Sequence, residues 1–275
     1  MPWMKRLVTT AGLSLLLVLV GCSSLTLAYQ QLPLLAGFWA NSYLDLDSEQ
    51  RDRLKVQLRA WQAWHRREEL PHWQALLREA QAALDGGFTR EALLSLERGA
   101  RASVERSLAQ AAPLAGPVLA SLRPEQWHHL QKEMDDKTAE WRERHDGRGG
   151  PGERAKRYTT NLERWLGNLD RATLKQARAD AQAWHFDLQA MAQGRATRQA
   201  RTVDALRAWA RHDHAGGNAL MMQNLLPLPA EQAYREDIIT SLLALLNGLN
   251  AEQRGRVRHH WADWIDDLRT LQSGG

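Results

Sequence analysis

Apolar residues recur at steps of three and four along most of the chain. Leu174, Ala177, Ala181, Trp184, Leu188 and Met191 keep that rhythm, as do Val257, Trp261, Trp264, Leu268 and Leu271. Leu54, Leu58, Trp61 and His65 follow it too, and so do Trp127, Leu130, Met134 and Trp141. A period near 3.5 puts one apolar seam on each helix and favours shallow-angle bundle packing. Ile238 to Leu249 is apolar on nearly all sides, which predicts a central helix. Val, Ile and Thr are scarce, while Ala, Leu, Gln, Arg and Glu dominate. The expected fold is all-α, a multi-helix bundle of roughly seven to nine helices.

Breaks in the pattern suggest the organisation. Pro71 ends or kinks a helix that starts near Ser48. Asp85-Gly86-Gly87 reads as a turn, and Thr89 as the N-cap of the next helix. Pro113 to Pro124 bracket a connector, Gly147 to Gly152 read as the most flexible segment, and Gly216-Gly217 and Pro227-Leu228-Pro229 mark the last breaks. The expected division is an aromatic N-terminal segment over 22–46, a first helical half over 47–145, a glycine-rich loop over 146–153 and a second half over 154–275. The pattern L-x-x-E-Q recurs at Leu46, Leu122, Leu228 and Leu249. It suits a helix start, with Leu as a staple before the cap and Glu in the first turn against the positive helix end. Gln62-Ala63-Trp64-His65 also recurs as Gln182-Ala183-Trp184-His185, offset by 120, and the Leu122 and Leu249 motifs are offset by 127. A duplication of the two halves would account for both offsets.

Residues 1–21 read as a signal peptide. Lys5 and Arg6 precede an apolar run of 14 residues from Leu7 to Val20, which is short for a membrane span. Leu19-Val20-Gly21-Cys22 then resembles a lipobox, with cleavage between Gly21 and Cys22. Cys22 is the one cysteine of the chain. Attachment of a diacylglycerol and an N-acyl chain there would account for an unpaired thiol in an exported protein. No other cofactor is expected. Ser23 and Ser24 follow, and by resemblance to lipoprotein sorting rules this places the protein on the periplasmic face of the outer membrane, held by its lipid anchor. Removing residues 1–21 leaves 254 residues and a net charge of +2. Of the 36 basic residues 30 are Arg, but acidic residues are interspersed with them, and export removes nucleic acid as a partner.

The segment Trp39-Ala-Asn-Ser-Tyr43, followed by Trp61-Gln-Ala-Trp64-His65-Arg66-Arg67-Glu68-Glu69-Leu70-Pro71, resembles an uncharacterised family of proteobacterial lipoproteins with a W-H-R-x-x-E-L-P element. The resemblance implies a helical lipoprotein of unknown activity. The L-x-x-E-Q repeats are similar to the L-T-x-x-Q signature of small periplasmic chaperones of the Spy and CpxP type, without its Thr. Trp64, His65, Arg66 and Glu69 at the end of the first long helix, with Trp39 and Tyr43 nearby, form the candidate binding surface for an envelope protein partner. The expected role is non-enzymatic binding or a chaperone-like function. The alternative is an envelope hydrolase that uses His65 and Glu69, at i and i+4, as an acid–base pair. No complete catalytic set accompanies that pair. The histidines at 128–129, 212, 214 and 259–260 lack zinc-protease spacing, so no metal site is expected. Most of the 12 Trp residues lie on apolar seams and are expected in the core, with one or two exposed.

Overall fold

Asp47 and Gln50 start the first long helix together. The Asp47 carboxylate accepts the Gln50 N–H at 3.0 Å, and the Gln50 side-chain oxygen accepts the Asp47 N–H at 3.0 Å. This reciprocal box satisfies two amides that a helix start leaves open. The computed structural model describes residues 24–146 and 150–273, which form twelve α-helices, one 3₁₀ turn and no strand. The expectations for residues 1–21 and for Cys22 lie outside the described residues. Helix α1 (Ser24–Gln30) and α2 (Leu32–Leu44) fold back along α3 (Ser48–Glu68), and α4 is Leu70–Gly86. The 31-residue α5 (Arg90–Ala120) leads to α6 (Pro124–His145), α7 (Gly150–Leu166) and α8 (Arg171–Ala183). Then come α9 (Leu188–Ala210), α10 (His214–Gln223), the 3₁₀ turn Pro229–Glu231, α11 (Gln232–Gly248) and α12 (Ala251–Ser273).

Two large apolar clusters hold these helices together. One joins Leu84, Phe88, Leu162, Leu166, Leu246 and Trp261. The other joins Leu46, Ala112, Leu119, Leu130, Val203 and Trp209. Each cluster takes residues from both sides of the glycine-rich segment, and α5 is long enough to serve both. The Trp residues mostly lie in or against the core, with Trp39 and Trp165 the strongly exposed ones.

The helix count exceeds the expected seven to nine because the sequence conceals several breaks. The 174–191 periodicity crosses one of them. Trp184 leaves helical backbone at ψ 147, and the Asp187 carboxylate caps α9 by accepting the Ala190 N–H at 3.0 Å. The spacing survives the break because both helices turn those residues inward. Conversely, the expected connector over 113–124 is mostly helix, with Pro113 and Pro117 inside α5. A proline in a helix interior costs about 3 kcal/mol. Packing on that turn offsets it: Ala112 is fully buried, Leu119 nearly so, and Gly116 lies against the Trp209 carbonyl. Residues 150–153 are helical as well, since α7 begins at Gly150. The uniformly apolar α11 is less central than expected. Ile239 and Leu246 are buried, but Ile238 and Leu242 line a cavity.

Gly216 and Gly217 do not break the chain either. Both lie in α10, and the break falls at His212, whose φ is 65°. Gly217 is there for close approach: a Cβ would run into the Trp209 ring and lie 2.8 Å from the Ala205 carbonyl oxygen. Gly217→Val is expected to lower stability by about 1–3 kcal/mol through overpacking, read as a fall in melting temperature. Gly216→Ala meets only the Asp213 carboxylate that caps the same helix, and its smaller effect is the comparison.

The L-x-x-E-Q motifs are helix starts, and the Leu46 and Leu122 copies meet each other. The Gln126 amide donates to the Leu44 carbonyl at 3.2 Å, the Asp45 carbonyl at 2.8 Å and the Gln50 side chain at 2.7 Å. The starts of α3 and α6 are thereby joined. In the second half Gln253 reaches the capping Asp170 and donates to Thr173 Oγ1 at 3.1 Å, joining the starts of α12 and α8. Arg51 bonds back to the Leu46 carbonyl, and Arg254 bonds to the Leu249 carbonyl in the same way. The Gln-Ala-Trp-His repeat has no such parallel. Its first copy lies inside α3, whereas its second straddles the end of α8.

Candidate ligand cavity

The sequence-predicted site residues fall in two places. Glu69 sits between α3 and α4, fully buried, and takes Arg106 Nε at 2.6 Å and Nη2 at 3.0 Å. Burial opposes its ionisation, but hydrogen bonds from Arg106 and Ser103 and the Arg106 charge outweigh this and hold its pKa below the usual carboxylate range. His65 Nδ1 lies 3.1 Å from the Tyr29 hydroxyl, and its ring is 4.7 Å from that of Trp61. Burial pushes the His65 pKa down against the pull of Glu69, so the ring is neutral at pH 7. Tyr29 is itself pushed up to about 12 by burial, with Arg66 pulling the other way. Trp64 and Arg66 are half-buried beside this group. Arg106 occupies both Glu69 oxygens and Tyr29 meets His65 Nδ1, and among the described residues no side-chain hydrogen bond joins His65 to Glu69, only the helical one from the Glu69 N–H to the His65 carbonyl. The arrangement ties α1, α3, α4 and α5 together. Trp39 and Tyr43 are not beside it: their rings lie 4.8 Å apart on α2, tilted by 55°, and line a cavity with Met134 and Leu206.

A different site forms where α6, α7, α9 and α11 converge. It is an aromatic cavity of about 560 Å³. Helix α7 supplies Arg154 and Tyr158, one turn apart. Helix α6 supplies Trp141 and His145 at the same spacing, stacked at 4.4 Å, with His145 Nδ1 donating to the Trp141 carbonyl at 2.7 Å. The break between α8 and α9 adds Trp184 and Phe186, and α11 adds Tyr234, Ile238 and Leu242. The rings brace one another, Tyr158 against Trp184 at 4.6 Å and Trp184 against Tyr234 at 5.6 Å. Trp184 Nε1 is anchored on Ser241 Oγ at 2.9 Å, which fixes its ring as a wall.

Arg154 is the unusual member. It is 9% exposed, and its guanidinium carbon lies 4.1 Å from the Phe186 ring centre. Its Nε is buried with no hydrogen-bond partner, and the Tyr158 hydroxyl is in the same state. Burial pulls the Arg154 pKa down, yet an arginine stays charged at pH 7. The cavity lining contains Arg157 as a second cation and no Asp or Glu. A buried charge is normally paired, because desolvation is otherwise too costly. Among the described residues no carboxylate pairs with this one, and its guanidinium lies over a ring face.

A second cavity of about 650 Å³ shares the Trp141 and Met191 walls and extends toward Trp39 and Tyr43 on α2. Arg195 Nε donates there to Thr138 Oγ1 at 3.0 Å, and Arg198 pairs with Glu231. Gly194 makes room for that pair, because a Cβ would strike the Glu231 carboxylate. The sequence did carry a signal for the first cavity. Arg154, Tyr158, Leu162 and Leu166 step by four, so a cation heads an apolar seam.

The histidines are dispersed. His129 and His260 bond to the Ser42 and Arg164 carbonyls, and the His212 and His214 rings are 6.1 Å apart. Among the described residues no three His, Cys, Asp or Glu side chains come together as a metal site, and no helix is long and apolar enough to cross a membrane. A model described as a family of unknown function, DUF6279, matches residues 42–237. No curated protein matches the chain, and no solved structure does.

Proposed function

Because the chain belongs to the DUF6279 family, whose function is unknown, we propose from the cavity itself that it is a non-enzymatic binding protein of the cell envelope. Its ligand is an apolar or aromatic molecule with one anionic group. The observation that carries this reading is Arg154, a buried cation with no carboxylate partner among the described residues, in a cavity lined mostly by rings and aliphatic side chains, with Arg157 and Asn161 as its other polar members. A carboxylate, sulfonate or phosphate would supply the missing acceptor in bidentate geometry. The Tyr158 hydroxyl supplies a second donor, and the rings cover the apolar body. The cavity volume suits a small organic ligand. The lipobox at Gly21–Cys22 supports an address at the periplasmic face of the outer membrane, where amphiphiles are plentiful.

Anilinonaphthalene sulfonate, a fluorescent aromatic anion, tests this directly. The protein is expected to bind it saturably, and Arg154→Met to weaken binding at least tenfold with the melting temperature held or raised. Palmitate should displace the dye from the parent, and hexadecanol should do so much less. Equal dye affinity in parent and Arg154→Met, or equal displacement by acid and alcohol, would remove the proposal.

A further inference from the structure

We propose that the outer faces of α2 and α3 form a docking surface for an anionic lipid bilayer. Helix α2 contains no charged residue. Its inward residues Leu32 and Ala36 meet Leu58 and Trp61 of α3. Its outward stripe is just as apolar: Leu34 is 68% exposed, Leu35 57%, Phe38 76% and Trp39 66%. Four large apolar side chains side by side in water on one helix face form a patch, not scattered exposure.

The neighbouring helix defines the occupant. A groove between α2 and α3 has Leu34 and Phe38 on one wall and Arg51, Lys55 and Arg59 on the other, with no acidic residue among its lining. From Arg53 to Arg67 α3 carries five Lys or Arg residues and no Asp or Glu. An apolar stripe of Leu, Phe and Trp flanked by exposed cations suits an interface whose interior is hydrocarbon and whose surface is anionic. A protein partner would need a matching acidic rim around an apolar centre, whereas an anionic bilayer presents both layers everywhere.

The chain outside the described residues points the same way. The apolar segment and Cys22 end directly before α1, and Leu34 follows Ser24 by ten residues. That short stretch is not a slack tether. Tyr29 of α1 is buried against Leu70, Leu268 and Leu271. Whatever surface holds residue 22 therefore also meets α2. Acyl chains on Cys22 would give retention, and the α2–α3 face would fix the orientation of the body.

The inference goes beyond the cavity reading and is tested apart from it. Residues 23–275 contain no cysteine and carry every core cluster of the fold, so this chain has no acylation site. It is expected to float with phosphatidylglycerol/phosphatidylethanolamine vesicles and far less with phosphatidylcholine vesicles. Leu34→Ser with Phe38→Ser, and separately Lys55→Glu with Arg59→Glu, should each weaken that binding at least tenfold with the circular dichroism unchanged. Lys156→Glu on α7 and Arg154→Met should leave it as it was. Three results would overturn the inference. The parent fails to float with anionic vesicles, or both double variants float as well as the parent. Or sedimentation finds a dimer that the serine substitutions split, which would make a second copy the occupant. Loss of flotation with Arg154→Met would assign lipid binding to the cavity instead.

Discussion

Arg106→Met is expected to lower stability by about 3–5 kcal/mol at neutral pH, more than Glu69→Gln does, although both substitutions break the same ion pair. The asymmetry follows from exposure. The Glu69 side chain is 1% exposed and that of Arg106 is 40% exposed. Without its partner Arg106 can turn to water, whereas Glu69 would remain an uncompensated buried charge. The pH dependence separates charge from packing. In the parent the folded-state pKa of Glu69 is depressed, so its contribution is present above the unfolded pKa and is lost as pH falls through the folded value. In Arg106→Met the Arg106 hydrogen bonds and charge are gone, and burial outweighs the remaining Ser103 hydrogen bond and raises the folded pKa above the unfolded one. The penalty is then absent below the unfolded pKa and grows as pH rises through the folded value. The stability gap between parent and variant, measured by urea unfolding, should be widest near neutrality and narrow toward about pH 4. A gap constant across that range would show that lost packing of the arginine stem, and not a stranded carboxylate, sets the cost.

The helical class and several helix starts could be read from the sequence because periodicity and capping are local. Asp47 and Thr89 cap helices through bonds to residues three positions on, and such bonds need no tertiary knowledge. The glycines were harder. Gly150 and Gly217 read as punctuation, but each is needed because another backbone or ring passes close to it. A missing side chain serves conformational freedom or close approach, and only the packed neighbour distinguishes the two. Polar residues raised the same difficulty. His65 and Glu69 read as part of a candidate binding surface with Trp64 and Arg66. Here Tyr29 and Arg106 satisfy them from α1 and α5, 36 and 37 positions away respectively for His65 and Glu69. The cavity was the least legible feature. It is lined from seven helices and a helix break, and its signature is a missing partner for Arg154, which no local pattern reveals.

Gln126→Leu is expected to cost about 3 kcal/mol, and Gln232→Ala less than about 0.5 kcal/mol, although both positions close the same five-residue motif. The difference lies in what each side chain touches. Gln126 is 3% exposed and, besides its donations to Leu44, Asp45 and Gln50, accepts the Arg123 N–H at 2.9 Å. Leucine there would remove the donor from the Leu44 and Asp45 carbonyls, the acceptor from the Arg123 N–H and one partner from the buried Gln50 side chain. In the Leu228 copy the first-turn role passes to Glu231, whose carboxylate accepts the Leu228 N–H at 2.9 Å, while Gln232 is exposed. The motif is thus one helix-start solution with either acceptor, and its glutamine becomes structural only where two starts meet. A double-mutant cycle checks that meeting. Gln50→Leu combined with Gln126→Leu should cost less than the two singles together, because both singles remove the same hydrogen bonds between the two side chains. Additive losses would mean that the two glutamines act only as separate caps. The head-to-head joining of α3 and α6, and by the same geometry of α8 and α12, would then contribute nothing to the fold.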